Sequence, residues 1–477
     1  MKKVFSILLI VCMLFSATAF AAGGPGGTPP GDPPDGVFKG GTPPGDPPDG
    51  VFKGGTPPGE PPEGGFWGST PPGGRTADFT YTAAAQIVSA DSQSGVSYVS
   101  ETADESALII DTTETVTVED ATVTKTGDSD GGDNCNFYGL NAAVLVKGGA
   151  QAVITGGQIA TSASGANGVF SYGGNGGQNG AEGDGTTVTI TGTVITTTGD
   201  GSGGIMTTGG GVTYANGLTV TTSGRSSAPI RTDRGGGTVC VTGGVYTSNG
   251  LGSPAIYSTA DVTVTGAVLV SNLSEGVCIQ GKNSVTLTDC DLTADNTQMN
   301  GNATFLDSIM IYQSMSGDAD SGTSAFTMTG GSLTSKSGHV FHVTNTSAVI
   351  TLNDVQIVNE DESGVLLSVC ADGWSGAGNE AILNASAQAL TGTILVGSDS
   401  SLKVTLENGS SFEGTFSGQI ENAKGETVST ELGEVSVTLD ETSVWTLTAD
   451  TYITGFSGSM ENVVTNGYTL YVNNTAM

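Results

Sequence analysis

The chain is 477 residues long and carries 47 Asp and Glu against 14 Lys and Arg, a formal net charge of −33 at pH 7. So acidic a balance excludes a general binder of nucleic acid, which needs a basic footprint, and it argues for solubility rather than for any particular fold. With 76 Gly and only 13% charged residues, helix formers are sparse, which points away from a helical domain.

The N-terminus opens with Lys2 and Lys3, an apolar run from Val4 to Phe15 and the small-residue pattern Ala19-Phe-Ala21. This predicts a secretory signal over 1–21, so the mature protein is expected to be exported, either released or held at the cell surface. No transmembrane segment is expected, because no later apolar stretch approaches the ~20 residues a membrane helix needs. Cys12 lacks the preceding small residue that a lipidation site would want, since Val11 stands there. Fifteen of the 17 prolines fall between Pro25 and Pro72, and residues 28–41, 42–55 and 56–69 repeat one 14-residue phrase. Proline fixes φ and removes a donor, so 22–76 is predicted to be a disordered, extended Pro/Gly-rich spacer outside any sheet. Phe38, Phe52, Phe66 and Trp67 punctuate it. It is either a plain stalk or an anchor that docks on a wall component.

From residue 77 onward the material changes to Gly, Thr, Ser and Val. A strand-like phrase recurs, as in Val262-Thr-Val-Thr-Gly-Ala-Val-Leu269, Val285-Thr-Leu-Thr-Asp-Cys-Asp-Leu292 and Ile350-Thr-Leu-Asn-Asp-Val-Gln-Ile357. Its closing apolar residue falls at Val123, Ile159, Ile195, Val220, Tyr246, Leu269, Leu292, Leu333 and Ile357, in steps of 36, 36, 25, 26, 23, 23, 41 and 24. Alternating Val and Thr is the period of a strand with one face inside. Gly156, Gly192, Gly243, Gly266 and Gly330 supply a sharp bend after it. A second apolar patch precedes each next phrase, at Ile230, Ile256 and Val277-Cys-Ile279. Two or three short strands per 23–26-residue turn predict a right-handed parallel β-helix over 77–396, an all-β solenoid. A β-propeller, with ~40-residue blades, fits these steps poorly.

Three long steps hold insertions around Gly127–Asn134, Tyr172–Asp184 and Ser314–Ser321. In solenoids such insertions become loops on one face, often the binding face. Calcium is the one ion such loops could hold, through Asp128, Asp130, Asp133 and Asn134 or through Asp318 and Asp320, although neither has the EF-hand spacing; the alternative is a solvated acidic turn. Otherwise no cofactor is expected. The cysteines past the signal, Cys135, Cys240, Cys278, Cys290 and Cys370, are odd in number and read as buried small hydrophobes. Past Gly397 the rhythm loosens, and 397–477 is predicted to be the helix end and a β cap around Trp445 and Asn466–Val472.

The phrases Thr232–Val239, Ala255–Thr259, Gly281–Val285, Ile309–Asp318 and Ser443–Asp450 make the chain resemble secreted bacterial right-handed β-helix proteins of the adhesin-like or pertactin-like kind. The resemblance spans roughly residues 100–472. It implies the fold and exposure at the cell surface, and it implies no reaction, since β-helices carry lyases, hydrolases, adhesins and stalks alike. The scarce cations supply the only candidate site. Arg231, Asp233, Arg234, Lys282, Tyr312, Gln313 and Asp318 are expected to line one solvent-facing edge on successive coils about 5 Å apart. They would form either a contact surface for an acidic polysaccharide of the cell wall, of the extracellular medium or of a host or neighbouring cell, or an ion-pair ladder between stacked edges. The functional readings are therefore a non-catalytic adhesin-like or structural surface protein, which is preferred, a carbohydrate-binding module or a polysaccharide lyase or glycoside hydrolase, and an ice- or mineral-binding Thr array. Irregular steps and insertions argue against the last.

Overall fold

The computed structural model describes residues 79–376 and 378–477. The signal segment 1–21 and the spacer 22–76 with its aromatics lie outside the described residues. What is described is a parallel β-helix built on three long sheets of 15, 14 and 10 strands, here sheets I, II and III. Up to Asn359 each coil contributes one strand to each sheet, as in Ile256–Ser258, Asp261–Thr265 and Val268–Ser271.

The repeat markers of the sequence form one stacked column in sheet III. Val123 pairs with Ile159, Ile159 with Ile195, and the ladder continues through Val220, Tyr246, Leu269, Leu292 and Leu333 to Ile357 without a break. Leu269 is the inward residue of its strand and Val268 is exposed, because the bend at Gly266 resets the alternation. Gly156, Gly192, Gly243, Gly266 and Gly330 all sit at φ between 61° and 65°, the left-handed corner between sheets II and III. Asp289 and Asp354 hold the same corner in other coils at φ 50° and 52°. The second apolar patch is sheet I, where Ile230, Ile256, Val277 and Ile309 stack in register toward the core.

One hydrophobic core runs from Ile87 to Leu470 inside the coil. Sheet III ends with Gln356–Asn359, while sheets I and II continue to Val463–Val464 and Gly455–Ser457. The cross-section therefore changes at residue 359 rather than at 397. Beyond it the coils are built from longer strands such as Asn379–Ser386 and Ser400–Glu407, which keep the core covered with two sheets. Trp445 is fully buried near the end of the stack, and a separate three-stranded sheet of Thr451–Ile453, Leu470–Val472 and Thr475–Ala476 follows.

Candidate functional site

Strands of sheet II alternate between exposed and buried, whereas those of sheet I are buried on both faces, as in Val277–Gln280 and Asp307–Tyr312. The reason lies in the insertions. All three leave or enter sheet I strands, and they fold over its outer face. The first contains the helix Asp133–Tyr138, whose Phe137 carbonyl accepts a bond from the Thr208 hydroxyl at 2.7 Å. Ile109, Ala142, Leu145, Phe170 and Met206 form a second apolar cluster there. The other two insertions meet each other, since the Asn179 side chain donates to the Gly317 carbonyl at 3.3 Å and accepts from the Gly235 amide at 2.9 Å.

This covered face carries a continuous column in register. It runs Phe170, Met206, Arg231, Tyr257, Cys278, Met310, His342, Ser368 and Leu395. The predicted cationic edge is part of it, but not as a solvent-facing row. Arg231 and Asp233 pair at 2.9 Å with both side chains only 3% exposed, and Arg231 also donates to the Ser226 carbonyl at 2.8 Å. Two charges so deep must be paired and hydrogen-bonded, or burial would cost more than their attraction returns. Arg234 bridges to Asp318 at 2.5 Å and lies over the Phe137 ring at 4.2 Å. Lys282 pairs with Asp320 at 2.8 Å and is the open member, its side chain 51% exposed. Tyr312 and Gln313 are buried. The Tyr257 and Tyr312 hydroxyls both donate to Gln280, whose amide donates to Ser314 at 2.5 Å and so holds the third insertion down. The edge is therefore a ladder of ion pairs that pins loops to sheet I, with one exposed rung at Lys282. A nearby cation, Arg225, donates to the Asn300 side chain at 2.9 Å.

The carboxylates read as calcium ligands are not gathered. Asp128 accepts from the Ser164 amide at 2.8 Å, and Asp133 opens the helix instead of a loop. Asp318 and Asp320 are held by Arg234 and Lys282. Among the described residues no group of three or more His, Cys, Asp or Glu is arranged to hold a metal ion. Asp130 stands in the same Gly-rich stretch, ahead of the helix, and belongs to no such group. None of the five cysteines is in a disulfide; four are buried, and burial pushes the Cys135 thiol up to about 11.

A second polar cluster lies farther along the column, and the sequence reading passed over it. His339 and His342, the only two histidines of the chain, both place Nδ1 at 2.8 Å from the Ser368 hydroxyl. His342 Nε2 faces Asp372 Oδ2 at 3.4 Å, an ion-pair distance without hydrogen-bond alignment. Burial pushes the His339 ring down to about 4, aided by His342. Burial would raise Asp372, but its contacts with His342 and Thr304 outweigh that and hold it below the ordinary carboxylate range. Nearby Asp307 is pushed well up by burial, then by Glu275 and Asp372. Hydroxyl, imidazole and carboxylate stand in the order of an acyl-transfer relay. Here, however, His342 and Ser368 have no exposed surface, and Phe305 stacks on His342 at 4.6 Å. In this arrangement the set joins strands and a loop as a polar cross-link. The signal that could have found it is the presence of the only two histidines of the chain three residues apart in one apolar strand, His339–Thr344.

A depression of about 240 Å³ is lined by Gln313, Ser321, Gly322, Thr323, Thr346 and Ser347. It adjoins Lys282, because a side chain at Gly322 would meet the Lys282 Cβ at 2.6 Å. No family model matches the chain, and no curated protein and no solved structure matches it.

Proposed function

We propose that the protein is a non-catalytic β-helix of the bacterial cell exterior, adhesin-like or structural, that meets glycans through its surface. The observation that carries this reading is the covered outer face of sheet I. Three insertions cover the face that carries the scarce cations, and the Arg and Lys side chains that a lyase or a binder of acidic glycans would use are spent on Asp233, Asp318 and Asp320. What stays open there includes the Lys282–Asp320 pair, the carboxylates of Glu182 and Asp184 and the hydroxyls of Ser321 and Thr323. Export rests on the N-terminal segment, and adhesion rests on the resemblance together with this surface. The test is binding of the full chain to a glycan array and to purified wall polysaccharide, with binding expected. Release of unsaturated or reducing ends from pectin or alginate would overturn the reading in favour of an enzyme.

A second reading, a surface that orders ice, is favoured by one observation. The insertions lie on sheet I and leave sheet II undisturbed, where Thr263, Thr286, Thr327 and Thr351 pair in an unshifted column despite the long step between them. Stiff Thr rotamers repeat there at the ~4.8 Å strand spacing. Inhibition of ice recrystallisation by the chain, lost in Thr286→Lys, would establish it; absence of inhibition removes it.

A further inference from the structure

One cation stands apart from the ladder. Lys125 closes the sheet III strand Thr122–Lys125 and is fully buried. Its column in that sheet otherwise carries short hydroxyl side chains, Ser100 before it and Thr161, Thr197, Thr222, Ser248 and Ser271 after it. In three of those coils the hydroxyl donates to a carbonyl of the turn that follows, Thr197 to Ser202, Ser248 to Ser253 and Ser271 to Ser274. Lys125 does the same with Nζ, which donates to the Gly127 carbonyl and, at 2.8 Å, to the Thr102 carbonyl. A hydroxyl serves that bond at a far smaller desolvation cost, so the bond alone gives no reason for a buried amine.

What the amine meets is an amide. Asn141 stands three residues before the sheet I strand Val144–Lys147, where later coils place Ser202, Ser227 and Ser253 three residues before theirs. It too is fully buried, and its Nδ2 donates to the same Gly127 carbonyl at 3.0 Å and to the Ser164 carbonyl at 3.2 Å. Two nitrogens bonded to one oxygen lie no more than about 6 Å apart. Turning the amide over would aim its oxygen at both carbonyls, so its orientation is fixed. Among the described residues no carboxylate lies within ion-pair distance of Lys125. A buried ammonium without a counter-charge tends to lose its proton. Burial lowers the Lys125 amine below its usual range, against the opposing pull of Glu105, Asp128 and Asp104. A neutral amine has two N–H bonds, and the two carbonyls accept them, which leaves its lone pair free to act as a nucleophile.

We propose that Lys125 and Asn141 join in an intramolecular isopeptide bond. The Nζ lone pair adds to Asn141 Cγ, the Cγ–Nδ2 bond breaks, and one proton passes from Nζ to Nδ2, so that ammonia leaves and an amide links the two side chains. No oxidant or cofactor enters the balance. Glu105 pulls on the amine more strongly than the other carboxylates and is held by the Ser100 hydroxyl at 2.9 Å; it is the group assigned to carry the proton. The bond ties the end of a sheet III strand to the entry of sheet I and closes off the first insertion, in a chain whose described cysteines form no disulfide.

Trypsin digestion of the full chain, folded and then denatured, with mass spectrometry of the products, tests it. Trypsin cuts after a lysine only when its side chain is free. The expected product is therefore residues 76–147 in one piece, lighter than its sequence by one ammonia, with fragment ions that place the link between Lys125 and Asn141. Separate peptides 76–125 and 126–147 overturn the proposal, whatever their masses: a succinimide at an asparagine also loses ammonia but leaves the cut after Lys125 intact. Lys125→Thr and Asn141→Ser give each position a residue that neighbouring coils carry, and both variants should show the full mass and no link. Glu105→Gln should leave most of the chain unlinked; a fully linked variant removes Glu105 from the reaction and leaves the bond standing.

Discussion

Arg231 and Lys282 belong to the same ladder, yet their substitution should differ sharply. Arg231→Ala would leave Asp233, 3% exposed, as a buried charge without its partner. Stranding one member of a buried pair costs roughly 3–5 kcal/mol. Lys282→Ala breaks a pair whose side chains are 51% and 43% exposed, where solvent screening holds the effect to about 0–1 kcal/mol. Urea unfolding of the two variants should therefore separate them clearly, and equal losses would show that Arg231 is not sealed. Replacing Arg231, Arg234 and Lys282 together is accordingly no neutral probe of a surface, as an edge facing solvent would have made it. A second residue sets a pH dependence. The His339 ring, pushed down by burial, titrates at about 4 in the fold against an ordinary 6.5. Between those values the unfolded chain takes up a proton that the folded chain refuses, so stability falls as pH drops through the window, by up to roughly 3 kcal/mol. Above 6.5 this group contributes no slope. His339→Asn keeps a polar partner for Ser368 without titrating, and its urea midpoint should be flatter from pH 6.5 to 4 than that of the parent. A parallel pair of curves would mean that His339 is solvated in the native state.

The coil is made at its corners, and two of them predict different penalties. Gly266 sits at φ 64° with open space around the position of a Cβ. Asn tolerates that conformation, and Asp holds it in neighbouring coils, so Gly266→Asn should change the melting temperature little. Gly266→Val should lose about 1–2 kcal/mol. Gly331 has no such freedom, because a Cβ there would lie 2.1 Å from the Cys290 carbonyl oxygen, the acceptor for the Ser332 amide at 2.9 Å. Gly331→Ala must push two coils apart and should cost more than Gly266→Val; the reverse order in thermal melts would contradict this account. These corners also explain how much of the coil could be read in advance. Period-2 alternation closed by Gly or Asp marks a strand and its bend, so the column from Val123 to Ile357 was legible to the residue. The outer face of sheet I was not. Arg234, Gln280 and His342 are covered by Phe137, Ser314 and Phe305, which lie in irregular segments between strands with no period to read. An outward polar residue on a strand looks the same in sequence whether water or a loop covers it.

At the scale of the whole molecule, a solenoid holds each coil mainly through its neighbours, so stability is close to a sum of local terms and an end can melt alone. The C-terminal end is held by Trp445. Its ring is fully buried, stacks on Phe412 at 6.1 Å, meets Phe416 edge-on at 5.5 Å, and its indole N–H donates to the Gly414 carbonyl at 3.1 Å. Its strand, Val444–Leu447, pairs with Ser411–Ser417 on one side and with only Val463–Val464 on the other. Beyond it the stack has little more sheet to offer. Trp445→Ala would remove these contacts and leave Gly414 facing a cavity, a loss of about 3–5 kcal/mol for a large buried ring. In a globular domain that loss would lower every region together. Here it should be felt where it is made: hydrogen exchange should quicken through Glu434–Leu439, Val444–Leu447 and the final three-stranded sheet, while amides in Asp261–Thr265 and Ser284–Thr288 keep their protection. Uniform loss of protection along the chain would show that the core from Ile87 to Leu470 unfolds as a single cooperative unit instead of coil by coil.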